Sequence, residues 1–195
     1  MKKTLSKILY KCLVGFLFFC WITFSLFSLS RCYQIKYVYP LKYKETVIKY
    51  ADYYGLDRAL VFAVINTESS FDVNAKSKAG AMGLMQLTKK TADYIAQNLG
   101  AEKYKHYDIF NIETNINFGC YYIKYLYTKF KDMDTALIAY NAGEGNVSIW
   151  LTDKKYSEDG KILKTTPFRE SNEYIIKIHK NFEKYKKLYK KILDK

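Results

Sequence analysis

The chain has 195 residues, 49% of them hydrophobic and 17% aromatic, with 20 Tyr but only 9 Gly and 2 Pro. This composition supplies a core for one compact domain plus a tail or anchor, and it excludes a low-complexity or disordered chain. The formal net charge of +13 suits a polyanionic surface, but charge alone does not choose among nucleic acid, phospholipid and an anionic cell wall.

Residues 1–11 are a basic tail carrying Lys2, Lys3, Lys7 and Lys11 without an acid. From Cys12 to Ser30 no charged residue occurs. As a helix this run would span about 28 Å, close to the hydrocarbon thickness of a bilayer. The apolar region of a cleaved signal is usually shorter, about 7–15 residues, although Ser28 and Ser30 offer a small-x-small site before Arg31. A core helix would keep one polar face, and this run has none. Segment 12–30 is therefore expected to be a transmembrane or signal-anchor helix. Its basic flank favours a cytoplasmic N-terminus. That places the rest of the chain outside the cytoplasm in a single-pass cell-membrane protein, with secretion after signal cleavage as the alternative. The four cysteines, Cys12, Cys20, Cys32 and Cys120, show no C-x-x-C or Cys/His ligand spacing, so neither a disulfide framework nor a zinc site is expected. Arg31 stands before Cys32, where a lipoprotein signal wants a small residue.

A polar-aromatic connector, residues 31–43, contains Pro40 and leads into a domain over 44–195. Residues 44–54 read as a helix stopped by Gly55. Asp57 can cap the next helix, whose Leu60, Val61, Val64 and Ile65 form an apolar face and which runs out near Glu68–Ser70. Asp72, Asn74, Gly80 and Gly83 make residues 71–87 turn-rich. Residues 89–99 resume the helical pattern, with Gly100 as a C-cap. Thr114 or Asn115 starts a further helix bearing Ile116, Gly119, Ile123, Leu126 and Phe130. Shorter helices follow at 133–141 and 144–151, then a polar loop or small hairpin over 152–167. The last helix, 170–193, places Ile175, Ile178, Phe182, Tyr185, Tyr189 and Ile192 on one stripe, which predicts core packing. The lysines from Lys180 onward, taken alone, read as its solvated face. The class is all-α with room for one minor β element.

Three segments carry chemistry. Glu68 follows the apolar Val64-Ile65, where desolvation favours the protonated carboxyl. A protonated acid is what a departing sugar oxygen needs, though a lone helix-end Glu is more often a solvated surface residue. Gly80-Ala81-Met82-Gly83-Leu84-Met85-Gln86 offers close backbone approach and, at Gln86, both a donor and an acceptor. Ala139-Tyr140-Asn141-Ala142-Gly143 adds a polar-aromatic cluster at a helix end. Alone, the glycine segment reads more often as a turn, and the Tyr140 cluster as core with an Asn cap.

Together they resemble the soluble lytic transglycosylase domain. VFAVINTESSFDVNAKSKAGAMGLMQLTKKTA (Val61 to Ala92) is similar to its first half, with Glu-Ser, Gly-Leu-Met-Gln and Thr-Ala signatures. NINFGCYYIKYLYTKFKDMDTALIAYNAGEGNVSIW (Asn115 to Trp150) is similar to its second half, and PFRESNEYIIKI (Pro167 to Ile178) to its closing segment. The resemblance covers about residues 45–185 in family order. It implies a goose-lysozyme-like fold with a glycan cleft, Glu68 as catalytic acid and base, Ser77, Gln86, Tyr140 and Asn141 at cleft positions, and Tyr174 near the glutamate. Met85 and Gly83 belong to the motif as shapers of the cleft. Two departures stand out: Asp72-Val73 where the family often has Asn-Pro, and Lys89 where a Pro often follows. Neither removes a group that the chemistry requires.

The implied reaction is non-hydrolytic. Glu68 protonates the oxygen between N-acetylmuramic acid and N-acetylglucosamine, then takes the proton of the muramoyl C6 hydroxyl as a 1,6-anhydro ring closes. One carboxylate suffices, and neither metal nor cofactor is required. The expected partners are peptidoglycan strands and, through segment 12–30, the membrane, with cell-wall or secretion machinery as a further candidate. The alternatives are a lysozyme-like hydrolase, which needs a second acid such as Asp72 or Glu113, and a non-catalytic wall-binding module. Nucleic acid is not an expected partner, because no helix-turn-helix, zinc or ribonucleoprotein motif occurs. His106 and His179 stand apart from any nucleophile motif.

Overall fold

A computed structural model describes residues 2–101 and 104–194, without the side chains of residues 2–12 and 107. The lysines of the basic tail, and Cys12, thus lie outside the described side chains. The chain divides into two compact units, residues 1–40 and 41–195.

The first unit is α1, Lys2–Tyr33, followed by a π-helical turn, Gln34–Val38. The stretch Leu13–Val38 is long and apolar enough to cross a membrane, and none of its most apolar window is buried. Phe16, Phe18, Phe19, Trp21, Phe24 and Phe27 are all exposed. A helix apolar on every side is of the kind found in membrane spans and in secretion signals.

The second unit is helical, with one two-stranded ribbon. Its elements are α2 Lys44–Tyr54, α3 Arg58–Ser69, β1 Ala81–Met82, β2 Leu87–Thr88, α4 Lys89–Asn98, a 3-10 turn at His106–Phe110, α5 Ile112–Phe130, α6 Met133–Ala142, α7 Glu144–Trp150 and α8 Arg169–Leu193. The strands pair antiparallel, Ala81 with Thr88 and Met82 with Leu87. This is the minor β element within an all-α class.

The core forms around α3. Asp57 caps it by accepting from the amides of Ala59 and Leu60, as the sequence predicts. All seven residues from Ala59 to Ile65 are buried, so α3 is enclosed on every side. Burial offsets the modest helix propensity of Val61, Val64 and Ile65. α8 packs along one flank of α3, and α5 joins α2 to α6.

Two expectations are corrected. α5 starts at Ile112, capped by Asn111, whose side chain accepts from the Thr114 amide. Thr114 and Asn115 thus lie inside the first turn, and Asn115 is buried for a different purpose. On α8 the inward residues are Ser171, Tyr174, Ile178, Asn181, Tyr185, Tyr189 and Leu193. Ile192 is 44% exposed, and Ile175 and Phe182 are only half-buried. Tyr174, Asn181 and Tyr185 find hydrogen-bond partners on α3, and Ser171 finds one on α6. Non-helical backbone at Tyr189 (φ −125°, ψ 25°) precedes the last turn, in which Leu193 and not Ile192 turns inward.

Candidate active site

The site grows from the last turn of α3, where the sequence changes from Val64-Ile65 to Asn66-Thr67-Glu68-Ser69. An apolar helix ending in four polar residues against a core needs a partner for each, since an unpaired buried polar group is costly. Nearly all come from α8. Asn66 Nδ2 donates to the Tyr185 hydroxyl (2.9 Å), and Asn181 Nδ2 donates to Thr67 Oγ1 (2.9 Å). Lys177 Nζ donates to the Thr67 carbonyl (3.2 Å), and the Tyr174 hydroxyl donates to Glu68 Oε1 (2.8 Å). Ser69 turns the other way and donates to the Leu84 carbonyl (2.8 Å), which fastens the helix end to the Gly-Leu-Met-Gln segment.

Glu68 is half-buried. Burial pushes its pKa up from 4.5 to about 7, with a smaller upward push from the Glu170 charge. The Tyr174 hydrogen bond and the Lys177 charge pull the other way without winning. Desolvation dominates because it acts on the whole carboxylate, whereas one hydroxyl and one exposed ammonium compensate only part of it. Oε2 accepts or donates no hydrogen bond among the described residues. Glu68 therefore holds a proton near neutral pH on a carboxyl whose other oxygen is fixed in place.

The segment after α3 turns sharply. Ser70 (φ 51°) and Phe71 (φ 65°) are both left-handed, as is Gln86 (φ 47°), conformations that non-glycine residues adopt at a cost of order 1–3 kcal/mol each. Ser77 is exposed; its hydroxyl accepts from the Ala81 amide (3.0 Å) and closes the turn before β1. Gln86 Nε2 donates to the carbonyls of Gly83 (2.9 Å) and Ala75 (3.2 Å). These two acceptors fix the amide's orientation and leave Oε1 open.

Asn115 supports this segment from below and was not recognisable in the sequence as a site residue. Its Oδ1 accepts from the Met85 amide (2.7 Å), and its Nδ2 donates to the carbonyls of Ile109 (2.8 Å) and Met82 (3.2 Å). A Cβ on Gly83 would collide with that amide, and φ there is 76°, so glycine is required twice over. Met85, buried, packs on Gly119, where a Cβ would strike its sulfur.

The helix end of α6 completes the arrangement. The Tyr140 hydroxyl donates to the Met85 carbonyl (2.6 Å). Burial first, and then the Glu68 charge, push the phenol well above its ordinary pKa. Asn141 Oδ1 accepts from Ser171 (2.9 Å), which leaves its NH2 group available. Past Tyr140, the Tyr122 ring (5.5 Å between centroids) leads to a pocket of about 310 Å³ lined by Lys90, Thr91, Tyr94, Tyr122 and Glu144.

Of the six expected residues, Tyr174 touches Glu68 directly and Tyr140 senses its charge. Among the described residues no hydrogen bond joins Ser77, Gln86 or Asn141 to Glu68. The two acids considered as water activators are engaged elsewhere. Glu113 is exposed and holds Lys49 (2.5 Å) and Tyr50 (2.9 Å), and the Asp72 carboxylate accepts from the Asn74 amide (2.9 Å).

Comparison with known proteins gives a consistent pattern. Residues 45–163 match the model of the transglycosylase SLT domain; this range stops short of α8. The chain is 31% identical over 140 residues to a soluble lytic murein transglycosylase of Salmonella typhimurium, covering 70% of this chain and 22% of that protein. It is 31% identical over 168 residues to a membrane-bound lytic murein transglycosylase C of Histophilus somni, covering 74% of this chain and 46% of that one. Among solved structures it resembles an inactive mutant of the lytic transglycosylase Slt of Pseudomonas aeruginosa (TM-score 0.69, 29% identity, 80% of this chain and 25% of that one). It also resembles the 70-kDa soluble lytic transglycosylase of Escherichia coli (TM-score 0.67, 27% identity, 76% and 25%). The chain thus spans less than half the length of these relatives.

Proposed function

The chain belongs to the transglycosylase SLT domain family, and we propose that it is a peptidoglycan lytic transglycosylase in which Glu68 acts first as acid and then as base. The observation that carries this reading is the Glu68 carboxyl itself, pushed up to about 7 and tethered through one oxygen by Tyr174. Glu68 donates its proton to the bridging oxygen between N-acetylmuramic acid and N-acetylglucosamine, which converts a poor leaving group into an alcohol. The positive charge that develops at the muramoyl carbon is relieved by the substrate's own N-acetyl group. Glu68, now ionised, accepts the proton of the C6 hydroxyl, and that oxygen closes the 1,6-anhydro ring. An internal nucleophile has a high effective concentration, so no second carboxylate is needed to position water. The engagement of Asp72 and Glu113 in other contacts supports this single-acid reading.

Digestion of peptidoglycan followed by mass spectrometry tests it. Anhydro ends, lighter by one water than reducing ends, are expected from the wild type, and Glu68→Gln should abolish cleavage while binding persists. Reducing ends alone would point to a hydrolase. In that case Glu170, the carboxylate whose charge reaches Glu68, is the residue to examine: Glu170→Gln should leave the anhydro product unchanged if one acid suffices.

We further infer that α1 anchors the protein in the cell membrane with the catalytic unit on the extracytoplasmic side. The apolar stretch Leu13–Val38 and the basic residues before it support this reading. Mass measurement of the mature chain and its partition on membrane fractionation check it; a soluble chain lacking the first 30 or so residues, as a processed signal would leave it, would sink it. Association with wall-remodelling or secretion machinery is a compatible setting for such an enzyme.

A further inference from the structure

We propose that a row of lysines on α8 is a docking track for the carboxylate-bearing strand of the substrate beyond the bond being cut. The proposal rests on the peptidoglycan reading above. Lys177, Lys180, Lys184 and Lys187 follow one another at steps of three and four residues, which places them on one side of a helix, and Lys191 continues the spacing past the kink at Tyr189. Lys180, Lys187 and Lys191 are exposed and Lys184 is half-exposed, whereas another face of α8 carries Ile178, Tyr185 and Tyr189 into the core.

The row starts at the reaction centre. Lys177 Nζ lies 3.2 Å from the Thr67 carbonyl and its charge acts on Glu68. From there to Lys187 the helix runs about 15 Å at 1.5 Å per residue, with a cation at each turn of about 5.4 Å, and Lys191 follows beyond the non-helical backbone at Tyr189. Two acids precede Lys177 on the same row: Glu173 is held by Arg169 (2.6 Å), and the charge of Glu170 acts on Glu68. Among the described residues no carboxylate pairs with Lys180, Lys184, Lys187 or Lys191. Glu183 lies beside the row, flanked by Lys186, whose ammonium sits over the Phe182 ring (5.2 Å). Uncompensated charges of one sign repel one another, so a continuous row of them favours an anionic partner.

The spacing fits a polymer better than a bilayer. Muramoyl residues carry peptide stems with carboxylates, so a strand seated on Glu68 and lying along α8 presents negative groups at intervals. Lysine, a flexible point charge, suits such dispersed groups. Adsorption to lipid would call for large apolar side chains interleaved with the cations. The exposed ones on α8 are Ile176 and Ile192, at either end.

The experiment uses the full-length protein with Lys180, Lys184, Lys187 and Lys191 all changed to Gln; Lys177 is left alone because it acts on Glu68. Binding is read by co-sedimentation with purified peptidoglycan sacculi in a Glu68→Gln background, so it does not depend on turnover. The expected result is binding weaker by about tenfold at low ionic strength, with a flatter salt dependence. Cutting of a short peptide-free glycan should be unchanged, and the corresponding Lys→Arg set should restore sacculus binding. Equal binding and equal salt dependence in the Gln set would overturn the proposal. So would a loss confined to vesicles containing phosphatidylglycerol, which would identify the row as a membrane contact. Failure of the wild type to cut glycan would overturn the transglycosylase reading instead, and the binding arm would still be read.

Discussion

Glu68 is poised by opposing influences, and each has a measurable signature. With a pKa of about 7, the acid form predominates below neutrality, so kcat/KM for glycan cleavage should fall on the alkaline side with an apparent pKa near that value. Tyr174 donates to the ionised carboxylate and therefore lowers this pKa. Tyr174→Phe should move the alkaline limb upward and also reduce kcat by about tenfold through loss of orientation. An unmoved limb would show that the hydrogen bond does not govern the titration. The same shift enters stability. A carboxyl whose pKa rises on folding contributes fully below its unfolded value near 4.5, and that contribution is lost as pH rises through about 7. Glu68→Gln should therefore stabilise the protein at pH 8 relative to wild type by roughly 2–3 kcal/mol, and by much less at pH 4; parallel denaturation curves at the two pH values provide the check. Glu68, Tyr140 and Tyr174 were legible in the sequence because motif and residue type coincide there. Ser69 and Lys177 were not, since their roles depend on partners on other elements that local pattern does not encode.

At the scale of elements, the Gly-Leu-Met-Gln segment has little secondary structure of its own and depends on α5. From a fully buried position Asn115 bonds the Met85 amide in it, the Met82 carbonyl just before it and the Ile109 carbonyl in the 3-10 turn. Asn115→Ala should cost about 2–4 kcal/mol, because it strands the Met85 amide and two carbonyls. Urea denaturation should show a lower midpoint at constant slope. In the sequence this Asn was a candidate helix start, since polar residues near a predicted boundary read as caps. The true cap, Asn111, lies four residues earlier. The inner face of α8 was misjudged for a related reason. A hydrophobic pattern registers apolar burial but is blind to Ser171 and Asn181, which go inside because α6 and α3 present hydrogen-bonding groups to them. Helix identity and the order of elements were otherwise readable, because amphipathic period and caps are local properties.

At the scale of the molecule, residues 1–40 and 41–195 are separate compact units, and the second contains Glu68 with all its partners. A chain beginning at Leu41 should melt in one cooperative helical transition by circular dichroism and cut peptidoglycan with the same Glu68 dependence as the full protein. Loss of folding would show that the first unit is needed for more than attachment. The sequence suggested a charge-free run over 12–30, a connector over 31–43 and a domain from 44 onward. The pairing of α3 with α8 across the core was not visible there, as it depends on contacts between residues more than 100 positions apart. That separation bears on the timing of synthesis. Glu68 leaves the ribosome 106 residues before the tyrosine that tethers it, and until α8 docks the last turn of α3 is held through Ser69 and not through the Glu68 carboxyl. A nascent or prematurely terminated chain thus carries the acid without its working geometry. Under the transglycosylase reading proposed above, copies that end before α8 lack the tether on this acid.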